Sequence, residues 1–105
     1  YILSLLIVRD KSQMQEGIIQ LRQQIDDLDN QLMELLAKRM RVCRQIGQYK
    51  KEHNMTVFQA SRYNEILEKR GAQGALCGMS PEFVATVFES VHEESVKQQI
   101  EIINK

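Results

Sequence analysis

The chain is predicted to be all-α, a three-helix protomer whose first helix is far longer than a globular helix usually is. Three observations carry this. Leu21, Ile25, Leu28, Leu32, Leu35, Arg39, Val42, Ile46 and Tyr49 follow one another in steps of four and three, the spacing of one helix face packed along its length. Ser80 followed by Pro81 is an N-cap and first-turn pair that opens a helix. Beyond an apolar opening run there is no β signal, internal repeat or low-complexity stretch.

The opening run, Tyr1 to Val8 (YILSLLIV), is followed by Arg9, Asp10 and Lys11. It is too short for a bilayer, which takes about 20 apolar residues. No basic stretch precedes it and no small-residue cleavage site follows, so a signal peptide is not indicated. Residues 1–17 are expected to be a linker or the remnant of a preceding domain, with Lys11 to Gly17 as the linker, and residues 18–105 the domain proper. From Ile18 the first helix runs without Pro, and without Gly until Gly47, through Lys50, about 45 Å at 1.5 Å per residue. So long a helix needs partners along its whole length. Lys51 to Asn54 reads as a break. A second helix is expected from Gln59 to Arg70, apolar at Tyr63, Ile66 and Leu67, and ended by Gly71, Gly74 and Gly78. The third runs from Pro81 through Ile103, with Val84, Val87, Phe88 and Val91 at core spacing.

A chain of 105 residues makes one domain with a modest core, which oligomerisation would enlarge. Fourteen basic and fourteen acidic residues cancel, so no overall field favours nucleic acid or an anionic membrane. Any anion binding must be local. Cys43 and Cys77, without CxxC spacing or a nearby histidine pair, read as free thiols in a reducing compartment, the cytoplasm.

Several polar residues interrupt the apolar faces. Arg39 sits inside the seam of the first helix, where an uncompensated charge costs several kcal/mol. It must reach water, face an internal acid or await a ligand carboxylate. Lys50 follows it by three turns, within about 20° and roughly 16 Å, so both cations share a stripe with Ile46. Arg22 lies about 100° around the helix and some 25 Å away, so it cannot join that site from the same copy. On the third helix His92, Ser95 and Gln99 fall at i, i+3 and i+7, on a face that would otherwise continue the core. Each also has an ordinary reading. Arg22 and Arg62 alone look like solvated surface arginines, and Lys50 beside Lys51 suits a helix C-terminus. Ser95, Gln99 and His92 read as satisfied polar core groups, and His53 as a helix-end residue.

Four segments carry a resemblance: LRQQIDDLDNQLMELLAKRM (Leu21 to Met40), IGQYKKEHN (Ile46 to Asn54), VFQASRYNEIL (Val57 to Leu67) and VHEESVKQQ (Val91 to Gln99). In this order, and over Gln20 to Ile103, the chain resembles the all-helical (AroQ-type) chorismate mutases. The resemblance implies an intertwined homodimer sharing two active sites, with chorismate as substrate and its Claisen rearrangement to prephenate as reaction, in aromatic amino acid biosynthesis. It implies no metal or other cofactor. By matched position, Arg22 from the partner, with Arg39 and Arg62, would hold the two carboxylates. Lys50 and Gln99 would meet the ether oxygen, Ser95 would assist at a carboxylate, and Gln59, Ile46 and Val96 would also bind substrate. Such mutases are also found fused to the enzyme that opens the shikimate pathway, a source for the apolar stub.

Guanidinium forks suit carboxylates and the folding of a flexible substrate arm. An amide that donates without titrating predicts activity persisting through neutral pH and limited only as Lys50 deprotonates. One departure stands out: Tyr63 follows Arg62 where many relatives carry a glutamate for the substrate hydroxyl, and Gln59 stands where an acid is frequent. Two alternatives remain at this stage. One is a non-catalytic helical dimerisation or regulatory module of a larger enzyme; the other is an isochorismate pyruvate lyase on the same fold.

Overall fold

The computed structural model describes the backbone of residues 2–105 and side chains from Met14 onward. Tyr1, where the expected remnant begins, lies outside the described residues, as do the side chains of the rest of its run. Three helices follow, α1 (Ile2–Glu52), α2 (Ala60–Leu76) and α3 (Pro81–Ile103), and no strand occurs among the described residues. α1 therefore includes Lys11 to Gly17, which was expected to be linker. Lys, Gln, Met and Glu are good helix formers, and the single Gly17 costs only about 1 kcal/mol.

The chain divides into two compact units, residues 1–37 and 38–105. The first is one helix, and the seam predicted for it stands open to solvent. Leu21, Ile25, Leu28, Leu32 and Leu35 are 54–63% exposed. This is a wide apolar stripe without cover in a single copy.

The second unit packs the end of α1 with α2 and α3. Cys43 and Val84 are its buried apolar residues, and Ser95 and Gln99 its buried polar ones. Phe88 and Val91 are half-buried as expected, whereas Val87 faces outward. Two glycines set helix separations. A Cβ on Gly47 would lie 3.0 Å from Gln99 Cα and 3.2 Å from its carbonyl oxygen, so α1 and α3 approach backbone to backbone here. A Cβ on Gly74 would collide with the Val84 side chain, which brings α2 onto α3.

Gly74 consequently lies inside α2 rather than ending it, and α2 runs six residues past the expected Arg70, to Leu76. The stop is made at Gly78, whose φ of +78° takes the chain into the left-handed region, with Met79 N donating to Gly74 O at 2.9 Å. α3 then starts as expected. Ser80 Oγ accepts from Phe83 N at 3.2 Å, and Pro81 occupies the first turn. Among the described residues no helix is long and apolar enough to cross a membrane.

Candidate active site

The site lies wholly in the second unit. On α1, Arg39, Cys43, Ile46 and Lys50 follow in steps of four, three and four and so form one stripe. On α3, His92, Ser95, Val96 and Gln99 form another. The first turns of α2 add Gln59, Arg62, Tyr63 and Ile66, and Val57 comes from the connection before it. Together they line a cavity of about 370 Å³.

Hydrogen bonds fix the polar members. Lys50 Nζ donates to Val57 O at 2.6 Å and to Gln99 Oε1 at 2.9 Å. Because a lysine has no acceptor, this pairing settles the amide orientation: Oε1 faces Lys50 and the Nε2 hydrogens of Gln99 remain to donate elsewhere. Arg39 Nη1 donates to Ser95 Oγ and lies 3.7 Å from Cys43 Sγ. Ser95 Oγ in turn donates to Val91 O at 2.7 Å, so the hydroxyl hydrogen is held on α3 while its lone pair steadies the guanidinium. Arg62 stands at the mouth, paired with Glu65 at 2.9 Å while both side chains are 62% exposed. Such an exposed pair contributes about 0–1 kcal/mol and yields readily to a ligand carboxylate.

Electrostatically the lining is one-sided, with Arg39, Lys50 and Arg62 and no Asp or Glu. Desolvation lowers the Lys50 pKa below 10.5, opposed in part by Cys43. Desolvation, then the Arg39 and Lys50 charges, lower His92 below 6.5 against a smaller pull from Glu93, so its imidazole is neutral at pH 7. His92 packs on Tyr63 with centroids 4.1 Å apart and the rings tilted by 34°, and meets the Phe58 ring at 5.7 Å, edge-on. Its Nε2 is buried without a hydrogen-bond partner, which corrects the expectation of a satisfied core histidine.

Arg39, Ile46, Lys50, Gln59, Arg62, Ser95, Val96 and Gln99 thus line one cavity. Arg22 is an exposed residue of the first unit. Sequence reasoning did not assign Cys43, Val57 or Ile66 to the site. Cys43 was visible as the residue one turn after Arg39 on the same stripe. Val57 contributes a backbone carbonyl and left no side-chain signal.

The family model for chorismate mutase type II matches residues 21–100. The chain belongs to this family. The matched stretch contains every residue lining the cavity. The chain is similar to the T-protein of Haemophilus influenzae, with 30% identity over 80 residues, 76% of this chain and 21% of that protein. It is also similar to the bifunctional chorismate mutase/prephenate dehydratase of Buchnera aphidicola subsp. Schizaphis graminum, with 27% identity over 88 residues, 84% of this chain and 23% of that protein. A third relative is the 4-amino-4-deoxychorismate mutase of Streptomyces pristinaespiralis, 26% identical over 83 residues, which cover 79% of this chain and 64% of that protein. The chain accordingly spans about a fifth of the length of the first two of these relatives. Within this family a mutase segment also occurs joined to a second activity, as the name of the Buchnera relative states.

Proposed function

We propose that residues 18–105 form a working chorismate mutase domain that converts chorismate to prephenate in aromatic amino acid biosynthesis. The observation that carries this reading is the convergence of Arg39, Lys50, Arg62 and Gln99 on one acid-free cavity within a chain of the mutase family. Arg39, held by Ser95, and Arg62, lightly held by Glu65, supply forks for the two carboxylates and fold the enolpyruvyl arm over the ring. The rearrangement is unimolecular. The ether C–O bond breaks as a C–C bond forms between the arm and the ring, and no proton changes hands. Negative charge gathers on the ether oxygen as the bond stretches, and Lys50 Nζ and Gln99 Nε2 meet it from opposite helices. Pre-oriented donors of this kind are worth about 3 kcal/mol each in such a site.

The same reading takes the active form to be a homodimer in the cytoplasm, with Arg22 reaching the partner's cavity as a further carboxylate ligand. Its support is the exposed stripe from Leu21 to Leu35, apolar surface that a second copy of the same helix suits. The test is loss of chorismate absorbance in purified protein, with the product identified. Fast formation of prephenate that falls about 100-fold or more in both Arg39→Ala and Lys50→Ala is expected. Salicylate as product, or no turnover by folded protein, overturns the reading.

A further inference from the structure

α2 begins without the device that fastens α3. Ser80 caps α3 through its own hydroxyl, whereas Gln59 caps α2 with no side-chain hydrogen bond. The first turn of α2, which follows Gln59 and carries Arg62, is held instead by contacts with its neighbours. One is the bond from Lys50 to Val57 O at 2.6 Å. The other is a cluster of three rings: Phe58 and Tyr63 lie 6.1 Å apart by centroid, and His92 of α3 packs on both, at 5.7 and 4.1 Å. His92 Nε2 is buried with no hydrogen-bond partner, so packing holds the ring there. The atom is equally shut off from a ligand in the cavity, and the ring can act on the reaction only through the residues it packs against.

We propose that His92 is a positioning residue: its neutral ring pins the start of α2 to α3, and protonation of that ring frees Gln59 and Arg62 and limits turnover in acid. The proposal rests on the reading of the cavity as a chorismate site. The charges around the ring set its direction. α1 presents Arg39 and Lys50, with the Cys43 thiol between them; α2 presents Tyr63 and, at the mouth, Arg62 paired with Glu65; α3 itself offers the exposed Glu93. Desolvation and the two α1 cations oppose a proton on His92, and Glu93 favours one with less effect than any of them. An imidazolium in the packed position would be a charge without a partner, in a lining that holds cations and no carboxylate. Released into water, the same ring takes a proton near its ordinary pKa of 6.5. Acid therefore favours the released form, so the cluster is whole at neutral pH and is lost as pH falls below 6.5. Release takes Phe58 and Tyr63 off α3, and with them Gln59 and Arg62, their neighbours in sequence. The carboxylate fork at the mouth fails first, so the loss falls mainly on KM. This adds an acid limit to the alkaline one set by Lys50.

The experiment measures kcat and KM for chorismate in the full chain at about pH 7.5 and about pH 5, beside an NMR titration of the His92, Phe58 and Tyr63 rings. The readout is the ratio of kcat/KM at the two pH values, in which a general loss caused by a substitution cancels. The parent is expected to give a ratio of about tenfold or more, carried chiefly by KM, with all three ring signals moving at the midpoint of activity. His92→Phe keeps a ring in the cluster with no site for a proton, and its ratio is expected to fall below about twofold. His53, the other histidine, is exposed, stacks on Tyr49 and lies outside the lining, so His53→Gln should keep the parental ratio. A parent ratio below about twofold, or an acid limb that persists in His92→Phe, overturns the proposal. If His92→Phe does not fold, the parent titration decides: a His92 signal that moves without the Phe58 and Tyr63 signals, or at a midpoint other than that of activity, overturns it too. Folded protein that converts no chorismate at either pH removes the mutase reading, and uncoupled titration of the three rings then removes the anchoring role of His92 as well.

Discussion

Gly47→Ala is the substitution on which the geometry of the site can be tested most sharply. The new methyl would stand 3.0 Å from Gln99 Cα, 3.2 Å from its carbonyl oxygen and 3.4 Å from its Cβ. Carbon atoms prefer about 3.5–4.0 Å, and the first two obstacles are backbone, so α1 and α3 must part by about 0.5 Å or more. Two effects on stability oppose one another. Alanine gains about 1 kcal/mol of helix propensity, while overpacking costs about 1–3 kcal/mol. The net is a loss of about 0–2 kcal/mol, at most some 16 °C in melting temperature for a domain of this size. The effect on catalysis is expected to be larger in proportion. Lys50 lies one turn beyond Gly47 and spans to Gln99 Oε1 at 2.9 Å, so separation of the helices pulls the two ether-oxygen donors apart. A 1 Å misplacement can cost about 100-fold, which scales to roughly tenfold in kcat here. The assay is chorismate consumption with kcat and KM resolved, beside thermal unfolding. Gly71→Ala is the control, because nothing lies within 4 Å of a Cβ there, and it should stabilise slightly without touching kcat. A Gly47→Ala protein with unchanged kcat and a raised melting temperature would refute the reasoning.

Three further outcomes are expected. Arg39→Lys keeps the charge but loses the fork that joins Ser95 and a substrate carboxylate; kcat/KM should fall about 100-fold, and retention of more than a third of activity would show that the fork is unimportant. Lys50 meets the developing negative charge with a full positive charge only when protonated, and burial lowers its pKa, so kcat/KM should decline as pH rises through a value below 10.5; a profile flat to that pH contradicts the role given to Nζ. Paired Leu28→Asp and Leu32→Asp changes on the exposed stripe should convert a dimer of 12.2 kDa chains into monomer in sedimentation experiments, and a parent protein that is already monomeric at micromolar concentration removes the dimer from the proposal.

The helices were legible because their signals are local. Heptad spacing in α1 and the Ser80–Pro81 cap both act within a few residues, and both elements formed where those signals lie. The boundaries that differed are set by tertiary contact. Gly74 looked like a terminator, yet its missing Cβ is what Val84 packs against, a fact visible only once α2 meets α3. Val87 shares the spacing of Val84 and Val91 and still faces outward, because periodicity does not say how wide the buried stripe is. In the site, Arg39, Lys50 and Gln99 were conspicuous as polar residues on apolar faces. The unpaired state of His92 was not, since hydrogen-bond satisfaction depends on neighbours from α2 that no spacing rule on α3 supplies.

The two bonds of Lys50 bear on the connection between α1 and α2 as much as on chemistry. An ammonium carries three hydrogens, of which Val57 O and Gln99 Oε1 occupy two. One hydrogen is left for an incoming oxygen, so an acceptor can be met without surrendering either internal partner. The bond to Val57 also makes this lysine the clasp of residues 53–59, the segment that delivers Gln59 and the first turn of α2 to the cavity. Deprotonation would cost the clasp a hydrogen and its charge at the same moment as the ligand loses its donor. Loosening of that segment, read as faster amide exchange at Val57 and Phe58, should therefore track the alkaline loss of turnover.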